Sequence, residues 1–212
     1  MIENKPTIYN APSLYNIGGS GGGGGENPDG SKKVTCIYNT STSSYMEINF
    51  NISNSDYIKI RYRYYSTGNF GIFSLLKTGF SSNVISLNSG GYIDAYSGGV
   101  SEGITVTTTG GTGQNFTIET FENLSLASYK LSKQNGAEGT ATGIYQSNVI
   151  ADKIRLFKGR GSYDAGRIEI FSFEVPGKIE LTPAKKNDIP GFYDSVSESF
   201  IACPNNNFFV LE

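Results

Sequence analysis

The sequence predicts an all-β protein, built as a sandwich or a barrel, and three observations support that fold class. The chain has 212 residues with 27 Gly, 14 Tyr and 13 Phe, while charged residues make up only 17%, a composition typical of strands and turns rather than helices. Hydrophobic residues alternate with polar ones along the middle of the chain, as in half-buried strands. Clusters of Gly, Asn and Ser separate these segments, at the spacing typical of a sandwich or barrel.

Residues 1–17 are too short to form a core, yet they are dotted with apolar side chains. Pro6 and Pro12 favour an extended conformation around them. The strip therefore either docks on another protein or packs on its own domain, and we favour a docking peptide, because a free tail is usually polar. The side chains expected to dock are Ile8, Tyr9, Leu14 and Tyr15.

Residues 18–32 are predicted to be a glycine-rich linker, with five consecutive glycines over 21–25. Glycine loses the most backbone entropy on ordering, so such a stretch favours flexibility. A phosphate-binding loop is not expected, because no Gly-Lys-Ser/Thr follows and no strand precedes it.

Residues 33–176 are predicted to form the main domain, and the period of two is clearest at its start. In residues 45–52 the apolar side chains share one face. Residues 57–65 show the same alternation, with Lys59, Arg61 and Arg63 on the polar face. We expect these three cations to form a protective charge row on an outer strand face. Further strands are predicted over 71–76, 84–87, 92–96, 104–108, 116–121, 125–131 and 153–157.

The alternation changes phase in residues 167–175. Ile168 and Ile170 share one face, whereas Phe171, Phe173 and Val175 share the other. A bulge near Ile170, or a strand that crosses between sheets, would let both sets point inward. Four short β segments follow, over 178–181, 192–193, 199–201 and 208–211, and they predict an appended hairpin unit over residues 177–212 rather than a second domain.

The end of the chain carries a family resemblance through Gly166-Arg167-Ile168, Ile170-Phe171-Ser172-Phe173-Glu174-Val175 and Gly191-Phe192-Tyr193-Asp194-Ser195-Val196. These patterns resemble the concanavalin A-like (laminin G-like) domains of phage tail and baseplate-associated proteins, and the likeness extends over residues 34–212. The resemblance implies a concanavalin A-like antiparallel β-sandwich (jelly roll) with an extended N-terminal anchor peptide and a small C-terminal β-hairpin appendage.

A second, shorter likeness lies in Pro6-Thr7-Ile8-Tyr9-Asn10 and Ser13-Leu14-Tyr15-Asn16-Ile17-Gly18-Gly19. It resembles the peptides by which phage head fibres attach to a capsid. The two likenesses together imply a bacteriophage virion structural protein on the particle surface, made in the host bacterial cytoplasm, with a capsid or tail protein as partner and a homotrimeric assembly. The preferred expectation is a head (capsid) fibre; the alternative is a tail-associated receptor-binding module that recognises host surface glycans.

Composition and charge exclude several other functions. The net charge of −2 gives no broad attraction to nucleic acid or to an anionic membrane, and neither a membrane span nor a secretory signal is expected. The absence of histidine and of Cys-x-x-Cys excludes a structural zinc site and a histidine-based triad. We expect no cofactor and no metal, and we expect Cys36 and Cys203 to remain unpaired thiols.

An enzyme is not expected. A glycoside hydrolase on this fold needs two carboxylates about 5 to 9 Å apart, and the nearest approximation, Glu169 with Glu174, straddles the proposed bulge. We therefore predict no catalytic residues and expect these acids to be solvated on an outer face.

Saccharide binding requires only an aromatic ring and a few polar acceptors in a shallow site. Tyr92, Asp94 and Tyr96 alternate along one predicted strand and satisfy that requirement. The same face serves equally well for cross-strand packing or for a contact with another subunit, and the sequence alone favours this second interpretation.

Overall fold

The computed structural model describes residues 25–41, 43–64, 71–79, 84–89, 92–97, 100–106, 117–134, 136–142, 148–158 and 168–212. For residues 94–97 and 100–104 only the backbone is described. The proposed docking residues Ile8, Tyr9, Leu14 and Tyr15 lie outside these ranges, as does most of the linker. Over the described ranges the chain forms strands and turns, without any helix of the length and apolarity needed to cross a membrane.

The described residues contain seventeen strands. They are β1 (Lys32–Lys33), β2 (Cys36–Asn39), β3 (Met46–Ser53), β4 (Ile58–Tyr64), β5 (Gly71–Leu76), β6 (Ile85–Asn88), β7 (Tyr92–Ser97), β8 (Val100–Thr105), β9 (Glu119–Ser125), β10 (Ser128–Lys133), β11 (Glu138–Thr142), β12 (Ile150–Leu156), β13 (Ile168–Val175), β14 (Ile179–Lys186), β15 (Ile189–Asp194), β16 (Ser199–Ala202) and β17 (Phe208–Leu211).

The strands form two antiparallel sheets. The larger, eleven-stranded sheet runs in the order β11-β10-β9-β4-β13-β14-β15-β16; in addition β2 pairs with β13 and β17, and β1 pairs with β14. The smaller, six-stranded sheet runs in the order β3-β12-β5-β6-β7-β8. The predicted fold class, an all-β antiparallel sandwich, is confirmed.

The core lies between the two sheets. Phe73 of the smaller sheet contacts Phe121 and Phe173 of the larger one, with ring centroids 5.9 and 5.8 Å apart, and all three rings are fully buried. Each such ring contributes about 1.5–3 kcal/mol of burial free energy. The period of two predicted for β4 is observed, because its apolar residues at every second position are buried while the three cations between them are partly exposed.

The predicted bulge in β13 is confirmed, since the register against β4 shifts between Ile170 and Ser172. Ile168 and Ile170 before the shift are buried, as are Phe173 and Val175 after it. Phe171 departs from the prediction, because it is the extra residue at the shift and is only half-buried. Its ring lies on the outer face instead, 5.7 Å from the guanidinium carbons of both Arg61 and Arg63.

The C-terminal strands are hydrogen-bonded into the larger sheet. β14 pairs with β13 and β15, and β17 pairs with β2. Phe192 and Phe208 both pack on Phe157, with centroids 6.4 and 5.2 Å away, so this segment shares the core of the preceding strands. The domain boundary drawn after residue 176 stays a prediction.

Strand limits differ from prediction where inward-facing residues are polar or small. β9 begins at Glu119 rather than near 116, and both Glu119 and Asn123 on its inner side are buried, so the apolar period is interrupted. β8 covers Val100–Thr105 rather than 104–108. β11 was not predicted at all, because its five residues include no large apolar side chain and offer no alternation to detect. Cys36 and Cys203 are both buried thiols.

Candidate functional site

The outward face of the smaller sheet carries a continuous line of polar residues. Register pairs Glu47 of β3 with Arg155 of β12, Arg155 with Ser74 of β5, and Ser74 with Ser86 of β6. Residues directly opposite in antiparallel strands project to the same face. We call Glu47, Arg155, Ser74 and Ser86 the polar row.

The residues on either side of the polar row face the core, which fixes the row on the outer face. Ile154, Leu75 and Ile85 precede or follow the polar row on one side and are buried. Their counterparts on the other side, Leu156, Phe73 and Leu87, are buried as well. Ser74 and Ser86 are nevertheless fully buried, so this outer face is shielded from solvent at its centre.

Asn88 lies two residues beyond Ser86 on the same side of β6 and pairs directly with Tyr92 of β7. On its other side the partner is Gly71, which has no side chain to contact it. Asn88 is 2% exposed and Tyr92 is 37% exposed, so a deeply set amide lies beside an accessible aromatic ring.

Among the residues that the structure describes, neither amide atom of Asn88, Nδ2 or Oδ1, has a hydrogen-bond partner, and the same holds for Ser86 Oγ. A buried polar group without a partner costs about 1–3 kcal/mol, and most native proteins avoid it. Two unpartnered groups two residues apart on one outer strand face make this face the candidate binding site, because a ligand that reached them would recover this free energy. Asn123 Oδ1 of the larger sheet also lacks a partner, but its amide nitrogen donates to two carbonyl oxygens.

The structure describes the predicted saccharide-binding residues Tyr92, Asp94 and Tyr96 only in part. Tyr92 lies on the outer face, as stated above. The backbone of Asp94 pairs with Ser86 and Gly103, and that of Tyr96 pairs with Ser101; their side chains lie outside the described parts of the chain. β7 therefore does run beside the unpartnered residues.

Sequence reasoning missed Ser86 and Asn88. Their signal was present in Ile85-Ser86-Leu87-Asn88, where two small polar residues alternate with two apolar ones. Such alternation predicts only that Ser86 and Asn88 face away from the core. That they are buried and unpartnered depends on residues distant in sequence, so the pattern alone does not mark them as a site.

At the opposite end of the polar row a basic cluster surrounds Tyr45. The guanidinium carbon of Arg155 lies 4.6 Å from the centroid of the Tyr45 ring, and Lys158 Nζ lies 4.8 Å from it. Arg155 Nε donates to Glu47 Oε1 at 3.0 Å. Ser74 Oγ donates to the carbonyl oxygen of Lys158 at 3.1 Å, which ties the basic cluster to the polar row. We use "basic cluster" for Tyr45, Glu47, Arg155 and Lys158.

The carboxylates considered for catalysis have structural partners. Glu169 is fully buried, and its Oε2 accepts from Arg63 Nε at 2.8 Å; the expectation that it is solvated was wrong, because Arg63 lies opposite it on β4. Glu174 is half-buried and lies 4.0 Å from Lys59 Nζ.

A further buried acid, Glu119, accepts from Tyr62 Oη at 2.6 Å and lies 3.3 Å from Lys133 Nζ. Burial and the neighbouring Glu119 carboxylate raise the pKa of Tyr62 well above its usual value. Across the described ranges, His, Cys, Asp and Glu side chains do not gather in threes in a way that suits a metal ion.

A pocket of about 350 Å³ lies on the larger sheet, near the turn between β14 and β15. Its lining mixes both signs of charge, from Glu26, Lys32, Lys185 and Asp188. Lys185 is ion-paired with Glu212, and this pairing raises the pKa of Lys185 and lowers that of Glu212. The pocket belongs to a different sheet from the polar row and shares no residue with it.

No protein-family model matches the sequence, and a search of curated proteins finds no relative. Among solved structures, the chain is similar to the receptor-binding domain of botulinum neurotoxin type G, at 11% identity over 70% of this chain and 45% of that one, with a TM-score of 0.38. The receptor-binding domain of botulinum neurotoxin mosaic serotype C/D is similar at 12% identity over 83% of this chain and 59% of that one, with a TM-score of 0.42. An HCR/D mutant is similar at 9% identity over 85% of this chain and 57% of that one, with a TM-score of 0.46.

The chain spans about half the length of these three structures. At such TM-scores the likeness carries no argument about what the chain binds. The proposals below depend on its own residues.

Proposed function

We propose that the chain is a surface protein of a bacteriophage particle, a head (capsid) fibre anchored by its N-terminal peptide, and that its sandwich binds a saccharide beside Tyr92. The saccharide proposal depends on the buried amide of Asn88, which has no partner for either of its polar atoms within the described ranges. The virion part is supported by the sequence resemblances at the two ends of the chain.

The chemistry of this site suits a sugar. An asparagine amide offers two N–H donors and an acceptor oxygen, which match neighbouring hydroxyl groups on a pyranose ring. The Ser86 hydroxyl adds a donor or acceptor two residues away. Tyr92 supplies an exposed aromatic ring on the strand next to Asn88, and aromatic rings pack on the apolar face of a sugar.

The competing interpretation assigns Tyr92 to a contact with another subunit. A subunit contact covers exposed surface, and it accounts for the exposure of Tyr92. It does not account for Asn88, which is already 2% exposed within one chain and still lacks hydrogen bonds to its amide. A small hydroxylated ligand that displaced the cover over Asn88 would supply hydrogen-bond partners to its amide and contact Tyr92, so we favour it.

The test uses a bacterial polysaccharide array with the full chain and two variants, Tyr92→Ala and Asn88→Leu. We expect saturable binding by the unmodified protein and about a five- to tenfold loss in each variant, since a hydrogen bond or ring contact is worth about 1–1.5 kcal/mol. The matched control is Tyr57→Ala, because Tyr57 is 36% exposed but lies next to β4 of the larger sheet.

Thermal melting separates a binding role from a structural one. Asn88→Leu removes an amide that makes no hydrogen bond, so its melting temperature should be unchanged or higher. Absence of any saturable signal from the unmodified protein, or equal binding by all variants, would overturn the saccharide proposal.

The anchor is tested by deleting residues 1–17. The truncated protein should remain folded, because every described strand lies beyond residue 31, but should no longer join the particle. Capsid and tail fractions probed separately distinguish a head fibre from the tail-associated alternative. Incorporation of the truncated protein at normal copy number contradicts the anchor.

We also propose a homotrimer. Three linked anchor peptides raise the avidity for the particle without any new contact, and closed symmetric oligomers are the usual assemblies. Light scattering should give three times the chain mass of 22.9 kDa. A stable monomer at micromolar concentration contradicts the trimer.

A further inference from the structure

Two cations lie against a single tyrosine ring in the basic cluster. Arg155 and Lys158 are 4.6 and 4.8 Å from the Tyr45 centroid, so their charges are closer together than the Debye length of about 10 Å at 0.1 M salt. Glu47 neutralises Arg155. In the described ranges Lys158 has no carboxylate within ion-pair distance, and its charge is met only by the Tyr45 ring.

The basic cluster therefore carries one uncompensated positive charge. It is also partly withdrawn from water, because the Arg155 and Glu47 side chains are 22% and 32% exposed. Two like charges on one ring repel each other, and a partly buried site screens that repulsion less than water does. A bound anion would relieve it.

The basic cluster and the Asn88–Tyr92 pair lie on one continuous face. Arg155 is next to Ser74, and Ser74 is next to Ser86, in the register of β12, β5 and β6. With neighbouring strands about 4.8 Å apart, the distance from β12 to β6 is roughly 10 Å and that to β7 about 14 Å. An oligosaccharide of this length would contact the face at its two ends only, because Ser74 and Ser86 between them are fully buried.

We propose that the basic cluster is a subsite for an acidic substituent, a carboxylate, sulfate or phosphate, and that the ligand of this face is an acidic polysaccharide. This inference rests on the proposed function and names its substrate class. Lys158 supplies three N–H donors and Arg155 retains those guanidinium N–H groups that Glu47 does not use. Charge-assisted hydrogen bonds of this kind are about twice as strong as neutral ones.

Lys158 is the residue to change, because it has no ion pair to lose within the described ranges, whereas Arg155 is paired with Glu47. We compare the unmodified chain with Lys158→Gln and Lys158→Arg. The matched control is Lys33→Gln, which alters the net charge equally but lies on β1 of the larger sheet, exposed to solvent. Each acidic polysaccharide is printed beside its carboxyl-reduced, or desulfated or dephosphorylated, neutral counterpart.

The expected result is a signal on at least one acidic polymer that exceeds its neutral counterpart about tenfold and weakens as salt is raised from about 50 to 500 mM. Lys158→Gln should lower that signal at least about tenfold, since charge-assisted hydrogen bonds are about twice as strong as neutral ones. Lys158→Arg should retain most of the signal, and Lys33→Gln should leave it unchanged.

Three results would overturn the acidic subsite. Equal binding to acidic and neutral partners shows that the ligand is a saccharide but not an acidic one, and it leaves the proposed function standing. An equal loss in Lys158→Gln and Lys33→Gln shows general charge attraction. Absence of binding to every polymer overturns the proposed function itself, and this inference with it.

Discussion

The ring of Phe200 occupies the space that a side chain on Gly191 would need. A β-carbon placed on Gly191 would come within 2.6 Å of Phe200 Cζ, and the Ile201 carbonyl oxygen is nearer still. The two residues are diagonal neighbours in the β15–β16 pairing, in which Gly191 is opposite Ala202 and Tyr193 is opposite Phe200. Glycine at 191 is therefore required by close approach and not by its backbone angles.

Gly191→Ala should destabilise the protein. Because the obstacle includes backbone as well as a ring, the strands must move apart, and overpacking of this kind costs about 1–3 kcal/mol. Urea unfolding measures the change in the free energy of unfolding. Gly177→Ala is the control, since Gly177 has a positive φ of 70° but open space around it, and its cost should be limited to about 1 kcal/mol of backbone strain. A Gly191 variant as stable as the unmodified chain would show that β16 moves without cost.

Asp194 stabilises the turn that follows β15. It is 3% exposed, and its carboxylate accepts from the amide of Glu180 at 2.9 Å, from the amide of Val196 at 3.2 Å and from Ser197 Oγ at 2.6 Å. Asp194→Ala leaves these donors without a partner, so we expect a loss of about 2–3 kcal/mol. Asp194→Asn retains one acceptor oxygen and should lose less. Equal stability of the two variants, measured by urea unfolding, would contradict this account.

The run Gly191-Phe192-Tyr193-Asp194 shows how far the sequence alone leads. It could be recognised as a pattern, and the turn and strands around it were predicted, because turn residues and β alternation are local signals. The reasons for Gly191 and Asp194 were not accessible, since they depend on Phe200 and Glu180 across neighbouring strands.

The candidate site, too, could be predicted from the sequence only in part. Tyr92 was predicted because an aromatic residue at alternating spacing is visible in sequence. Asn88 was not, because the lack of a hydrogen-bond partner is a property of the folded chain. Tyr45 and Lys158 are likewise brought together only by the pairing of β3 with β12, which are distant in sequence.

The ion pair between Arg63 and Glu169 should show strong coupling. Glu169 is fully buried, whereas the Arg63 side chain is 25% exposed. Arg63→Met keeps the packing but removes the Arg63 cation from the buried Glu169 carboxylate, and we expect a loss of about 3 kcal/mol. Adding Glu169→Met removes that carboxylate and should recover most of the loss. Additive losses in the double-mutant cycle would mean that the two side chains act independently.

The buried thiol of Cys203 should react slowly in the native state. Burial raises the pKa of Cys203 to about 12, from a usual value of 9.0, and the thiolate is the reactive form. At pH 8 we expect iodoacetamide to label native Cys203 at least about a hundredfold more slowly than the same residue in urea. Mass spectrometry of the Cys203 peptide distinguishes it from Cys36. Equal labelling rates in the two conditions would contradict this burial.

The raised pKa of Cys203 also makes the free energy of unfolding fall at alkaline pH. The unfolded chain releases the Cys203 proton near pH 9, whereas the folded chain retains it to about pH 12. This contribution to stability is therefore complete below pH 9 and is lost between pH 9 and about 12, at about 1.4 kcal/mol per pH unit. Partial burial and the hydrogen bond to Glu122 also raise the pKa of Tyr57 to about 12 from 10.0. Because Tyr57 is 36% exposed and screened by solvent, it adds only a smaller loss above pH 10. Urea unfolding at pH 8, 9 and 10 measures the slope, and Cys203→Ala should flatten it between pH 9 and 10; an unchanged slope in that variant would assign the alkaline loss to other groups.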